Sequence, residues 1–171
     1  YSQDSSQSEK RQMADSLLFV SFQHFLGINL FGNIETASKA LSISKEINYS
    51  RGKAESYFYL ARAFSYLGQY NKALEYLLLS EEEAYTTNNA ELHSDIFRIR
   101  GHIYIYLGLH SSSIKELKKG YFYVSQIQQP ERKRQLESLA YENFSIYYRT
   151  VKSYDSMFYY LNKNKDILMN C

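Results

Sequence analysis

YLGQYNKALEYL, residues 66–77, decides how this chain is read. A glycine interrupts an apolar, helix-like rhythm, a tyrosine follows two places on, and a small residue, Ala73, three places after that. Residues 106–117, YLGLHSSSIKEL, repeat the pattern in register: Gly68 becomes Gly108, Ala73 becomes Ser113 and Leu77 becomes Leu117. The two glycines are 40 positions apart. Weaker copies lie outside, LFGNIETASKAL at 30–41 and TVKSYDSMFYYL at 150–161, whose turn positions read as Gly32 and Lys152. Self-similarity every few tens of residues is the mark of stacked repeats, each burying the face that its neighbour cannot cover alone.

Gly68 and Gly108 fall where a first helix ends, because a left-handed backbone is cheap for glycine. A second helix starts three residues later. Its small residue, Ala73 or Ser113, allows close approach to the first helix. The matching small residues on the first helices, Ala61 and Gly101, lie seven positions before the glycines. A glycine inside a helix costs about 1 kcal/mol relative to alanine, so Gly101 points to a packing requirement.

Composition agrees with a helical array. The chain has 171 residues, 44% hydrophobic and 22% charged, with seven glycines and one proline, too few breakers for a turn-rich β fold. A net charge of +2 exerts no global pull toward nucleic acid or an anionic membrane. Cys171, the single cysteine, excludes an internal disulfide and a cysteine-based zinc cluster. Eighteen tyrosines without a tryptophan fit AT-rich codon usage and also suit half-wet repeat surfaces. No apolar run reaches the ~20 residues of a membrane span.

The coarse reading is eight helices in four hairpins, without strands. They run from about Ser8 to Phe31, Ile34 to Ile47, Ala54 to Leu67, Asn71 to Tyr85, Glu91 to Leu107, Ser112 to Ile127, Pro130 to Thr150 and Tyr154 to Leu168. NYSRGK and TTNNAE break the rhythm, and Pro130 is placed for the first position of a helix. Helix one presents Met13, Leu17, Val20 and His24 on one face. In the fourth helix Ala73, Leu77, Ser80 and Ala84 share a stripe. Residues 1–7 read as a polar leader, and 8–171 as one array with repeats at about 18–51, 54–87, 94–127 and 138–171. The chain is expected to be a fragment of a longer protein.

The pattern resembles the tetratricopeptide repeat family. Tyr57, Leu60, Ala61, Phe64, Gly68, Tyr70, Ala73, Leu77 and Ser80 carry the match in the second repeat. Phe97, Gly101, Tyr104, Gly108, Ser113, Leu117 and Gly120 carry it in the third. The first offers Ile28, Gly32, Ala37, Leu41 and Ser44, with bulky Phe25 where a small residue is expected. The fourth offers Tyr141, Ser145, Tyr148, Tyr154 and Leu161, with Lys152 for glycine and Met157 for alanine. The resemblance implies an α-α superhelix of about four hairpins, right-handed, whose first helices line a concave groove for a protein or peptide.

By that register the groove residues are Phe58, Arg62, Tyr66, Arg98, His102, Tyr106 and Arg149. Arginines and a histidine among aromatics suit an acidic or carboxylate partner with apolar bulk. The carboxylate clamp of the family's chaperone-binding members is not carried over, since Phe58 and Arg62 stand where it would begin. The implied function is the partner-sensing region of a bacterial regulatory protein, periplasmic and membrane-anchored in preference to cytoplasmic. A free-standing assembly scaffold is the alternative.

No enzyme, cofactor or metal is implied. His24, His93, His102 and His110 match no metal motif and are expected at the surface or in the groove. The HSD triplet at 93–95 has no nucleophile or oxyanion hole placed beside it. Glu81, Glu82 and Glu83, like Arg132, Lys133 and Arg134, read as solvated helix ends.

Overall fold

The computed structural model describes Ser2 to Met169, with side chains from Ser5 onward; Cys171 lies outside the described residues. Eight α-helices account for most of them, with no strand among them: α1 Ser2–Leu26, α2 Leu30–Glu46, α3 Ser50–Tyr66, α4 Tyr70–Ala84, α5 Ala90–Tyr106, α6 His110–Ser125, α7 Pro130–Thr150 and α8 Tyr154–Met169. The fold class is all-α, built of helix hairpins packed as in an α-α superhelix. The chain divides after Asn89 into two compact units, α1–α4 and α5–α8. Within each, every helix packs on the next in sequence, and the two first helices touch, α1 on α3 and α5 on α7.

The turns keep time more strictly than the sequence suggested. Helices α2 to α7 begin at Leu30, Ser50, Tyr70, Ala90, His110 and Pro130, every twenty residues. A left-handed residue stands two places before five of these starts: Ile28 (φ 58°), Asn48 (50°), Gly68 (72°), Asn88 (49°) and Gly108 (71°). Gly68 N–H donates to the Ser65 carbonyl (3.1 Å) and Gln69 N–H to the Phe64 carbonyl (2.9 Å). These are the two bonds that satisfy the last carbonyls of a helix when its chain reverses through a left-handed residue. The same pair recurs around Ile28, Asn48, Gly108 and Lys152.

This cadence corrects the first repeat. α1 stops at Leu26 and does not reach Phe31, which belongs to α2. The turn residue is Ile28, and Gly32 lies inside the first turn of α2. Gly32 is small for another reason. Asn29 caps α2 by accepting from the Gly32 N–H (3.0 Å), and a Cβ on Gly32 would stand 2.5 Å from Asn29 Nδ2 and 3.0 Å from His24 Cγ. With the turn at Ile28, the small residue seven places earlier is Ser21, fully buried, and Phe25 is no longer an exception. The last turn, Lys152 (φ 58°), stands as expected, and Pro130 is at the start of α7. α3 opens at Ser50, so only Ile47, Asn48 and Tyr49 separate it from α2; NYSRGK is mostly helix. α1 also reaches back to Ser2 through the polar opening, where Ser5 to Glu9 are exposed.

Small residues set the helix contacts. Ala54, Ala61, Ala73 and Leu77 are fully buried in unit one. In unit two, Ser113 Oγ donates to the Gly101 carbonyl (2.8 Å), and a Cβ on Gly101 would lie 2.8 Å from Leu117 Cδ2. One turn further along the same seam, Gly120 faces the Ser94 carbonyl, with 3.0 Å left for a Cβ. In unit one Ser80 stands where Gly120 does, and its Oγ donates to the Ala54 carbonyl (2.8 Å). Burying a leucine such as Leu77 contributes about 1.5–3 kcal/mol. The stripe Ala73, Leu77, Ser80, Ala84 is wholly buried, as its spacing requires.

α1 departs from expectation. Met13 and Val20 are exposed, and the buried face is Ala14, Leu18 and Ser21, one residue round. Hydropathy favoured Met13 and Val20, whereas close packing turned small Ala14 and Ser21 inward together with Leu18. The tyrosines pack as well as decorate. In unit two Tyr160 stacks on Phe144 (4.8 Å) and Tyr148 (5.5 Å), and the Tyr121 and Tyr141 hydroxyls share a 3.0 Å hydrogen bond.

Candidate groove residues of the first helices

The residues read as groove-lining fall in both units, and each row is described in its own. In unit one the row runs along α1 and α3. Phe58 is buried, and the guanidinium of half-buried Arg62 lies between aromatic neighbours, 3.6 Å from the Phe25 ring centre and 5.4 Å from that of Phe58. Stacking of this kind orients a guanidinium face-on and leaves its edge for hydrogen bonds. Tyr66 closes on Phe25 edge to face at 5.1 Å and is 64% exposed, so it is the outer wall of the row.

Further along the same two helices is a cleft of about 220 Å³, lined by Asp15, Leu18, Phe19, Phe22, Arg51, Glu55 and Tyr59. Arg51 Nε donates to Glu55 Oε1 at 2.8 Å, and the Tyr49 hydroxyl donates to Asp15 Oδ1 at 3.1 Å. The Glu55 carboxylate, chiefly by that bond, raises the Arg51 pKa and keeps the guanidinium charged; Asp15 adds a smaller pull. The aromatic walls are Phe22 and Tyr59, 6.4 Å apart, and exposed Phe19.

In unit two the row runs along α5 and α7. Arg98 holds Asp95 with two donors, Nε at 3.1 Å and Nη2 at 2.6 Å. His102 is half-buried, its ring 5.0 Å from that of Tyr106, which is itself 64% exposed. Burial lowers the His102 pKa, Arg98 lowers it further, and Glu142 from α7 partly opposes both. Arg149 is exposed in the last turn of α7.

The HSD triplet is dispersed by the helix. His93 is buried, contrary to the surface or groove position expected of it, and stacks on Tyr123 at 4.7 Å and Phe97 at 6.5 Å. Its flat ring packs with these two as part of the core. Ser94 is buried at the α6 contact, and Asp95 serves Arg98. The acidic and basic runs are partly paired. Lys53 meets Glu83 at 2.8 Å, and Arg132 Nε donates to Glu91 at 2.7 Å.

The sequence reading missed the cleft. Its residues become legible only in the corrected register, in which Asp15 and Glu55, and Phe19 and Tyr59, are equivalent positions one 40-residue period apart. With Gly32 taken as the turn, α1 was out of phase by four residues and these pairs were invisible.

No protein-family model matches this chain, and no curated protein matches it.

Proposed function

We propose that this chain is a tetratricopeptide-like binding module whose first helices grip an extended segment of a partner protein, and that it forms the partner-sensing region of a bacterial regulatory protein. The observation that carries the reading is the α1–α3 row. An aromatic and charged cleft and, further along α3, exposed Tyr66 support it, since arrays of this kind take peptides on their first helices. The small-residue contacts and the left-handed residue every twenty positions support the repeat reading on which this rests. In unit two, Tyr106, His102 and Arg149 offer the partner an aromatic face and a cation, which suits an acidic group on the bound segment.

The test uses a photo-crosslinking side chain in place of Tyr66 or Tyr106 on the first helices, and in place of Leu78 or Phe122 on the second. All four are exposed. The expected result is that the same partner crosslinks from the first-helix positions and not from the second-helix ones. Crosslinks from Leu78 and Phe122 alone would overturn the reading in favour of a scaffold that binds through its second helices.

A further inference from the structure

We infer that the unit-one cleft between α1 and α3 receives an arginine side chain of the bound segment. The inference rests on the binding reading above and specifies its chemistry at one position. The cleft brings two carboxylates, Asp15 and Glu55, against a single guanidinium, Arg51, so its lining carries a net negative charge. Its other walls are Leu18, Phe19, Phe22 and Tyr59. A volume of about 220 Å³ falls below the roughly 300 Å³ at which pockets begin to hold drug-sized ligands. It suits one side chain of a longer segment.

A guanidinium fits this combination better than an ammonium. It is planar and weakly hydrated, can lie against aromatic faces, and presents paired donors to a carboxylate. The chain already uses that geometry on the same two helices, where Arg62 lies over Phe25 at 3.6 Å. Arg51 indicates how the site is held in the absence of a partner. Its Nε occupies Glu55 at 2.8 Å while its side chain is 59% exposed. An incoming arginine can therefore exchange with it, leaving Arg51 to move into solvent. The charges facing the cleft from α1 and α3 are Asp15, Arg51 and Glu55; Arg11, one turn before Asp15, lies over the Tyr49 ring at 5.7 Å.

The experiment titrates the full chain with two blocked tripeptides, acetyl-Gly-Arg-Gly-amide and acetyl-Gly-Glu-Gly-amide. The aromatic NMR signals of Phe19, Phe22 and Tyr59 are followed. The arginine peptide should shift them saturably and the glutamate peptide should not. Glu55→Gln should weaken arginine-peptide binding about tenfold, the scale of one lost charge-assisted hydrogen bond. Arg51→Ala should tighten it, because the internal competitor is gone. The inference is overturned if the arginine peptide shifts nothing, if the glutamate peptide binds as well, or if Glu55→Gln and Arg51→Ala leave the affinity unchanged. A partner that still crosslinks at Tyr66 when the arginine peptide fails would leave the groove reading standing and remove only this assignment.

Discussion

Ile28 is the residue at which local preference and fold disagree. It is β-branched, 77% exposed and held at φ 58°, a region that its Cβ disfavours by about 1–2 kcal/mol. Gly68 and Gly108 fill the same place without that penalty. Ile28→Gly should therefore stabilise the chain by about 0.5–1 kcal/mol, after the larger entropy that glycine loses on folding is subtracted. Chemical denaturation of the variant and parent measures this, and a lower midpoint for the variant would mean that Ile28 packs in a way its exposure conceals. His102 gives a second residue-level expectation. Its folded pKa lies below the ordinary value near 6.5, so the native state binds its proton less readily than the unfolded chain does. Its contribution to stability is thus complete above about pH 6.5 and is lost as the pH falls toward the folded value. An NMR titration of the His102 ring should show a depressed midpoint that Arg98→Gln moves up and Glu142→Gln moves down. Equal midpoints in all three would contradict the electrostatic origin.

Helix by helix, the sequence was most readable where glycine marks the turn and a small residue follows at the contact. α3 to α6 were placed to within a few residues for that reason, and Pro130 set the start of α7. α1 and α2 were misread because two signals competed. Gly32 resembled the turn glycine of the strong repeats, while the true turn carried an isoleucine that no turn preference would select. The groove inherited the error, since a four-residue slip on α1 conceals which of its side chains oppose α3. Arg62 and Tyr66 could be set on one face of α3 because α3 was in phase; their contact with Phe25 of α1 could not be read. The contact between α5 and α6 tests the register where it was read correctly. Gly101→Leu must displace Leu117, whose Cδ2 already lies 2.8 Å from an added Cβ, and overpacking of this kind costs roughly 1–3 kcal/mol. A thermal melt unchanged by the substitution would show that α6 can retreat from α5 without loss.

At the scale of the whole chain, each unit carries its own buried residues: Leu18, Leu60 and Leu77 in the first, Ile96, Ile103, Leu117 and Phe144 in the second. Residues 90–171 expressed alone should therefore retain helical circular dichroism and melt cooperatively. A broad, featureless loss of signal on heating would show that the second unit needs the first. The twenty-residue interval between helix starts also bears on how such a chain can change length. Ser50 and Ala90 open equivalent helices one full period apart, so the stretch from the start of α3 to the start of α5 is one complete hairpin with its turns. Unequal recombination between those places would add or remove a complete hairpin while cutting no helix. The gene could then drift in copy number by whole modules, and the protein could change its number of hairpins without redesigning a single contact inside one.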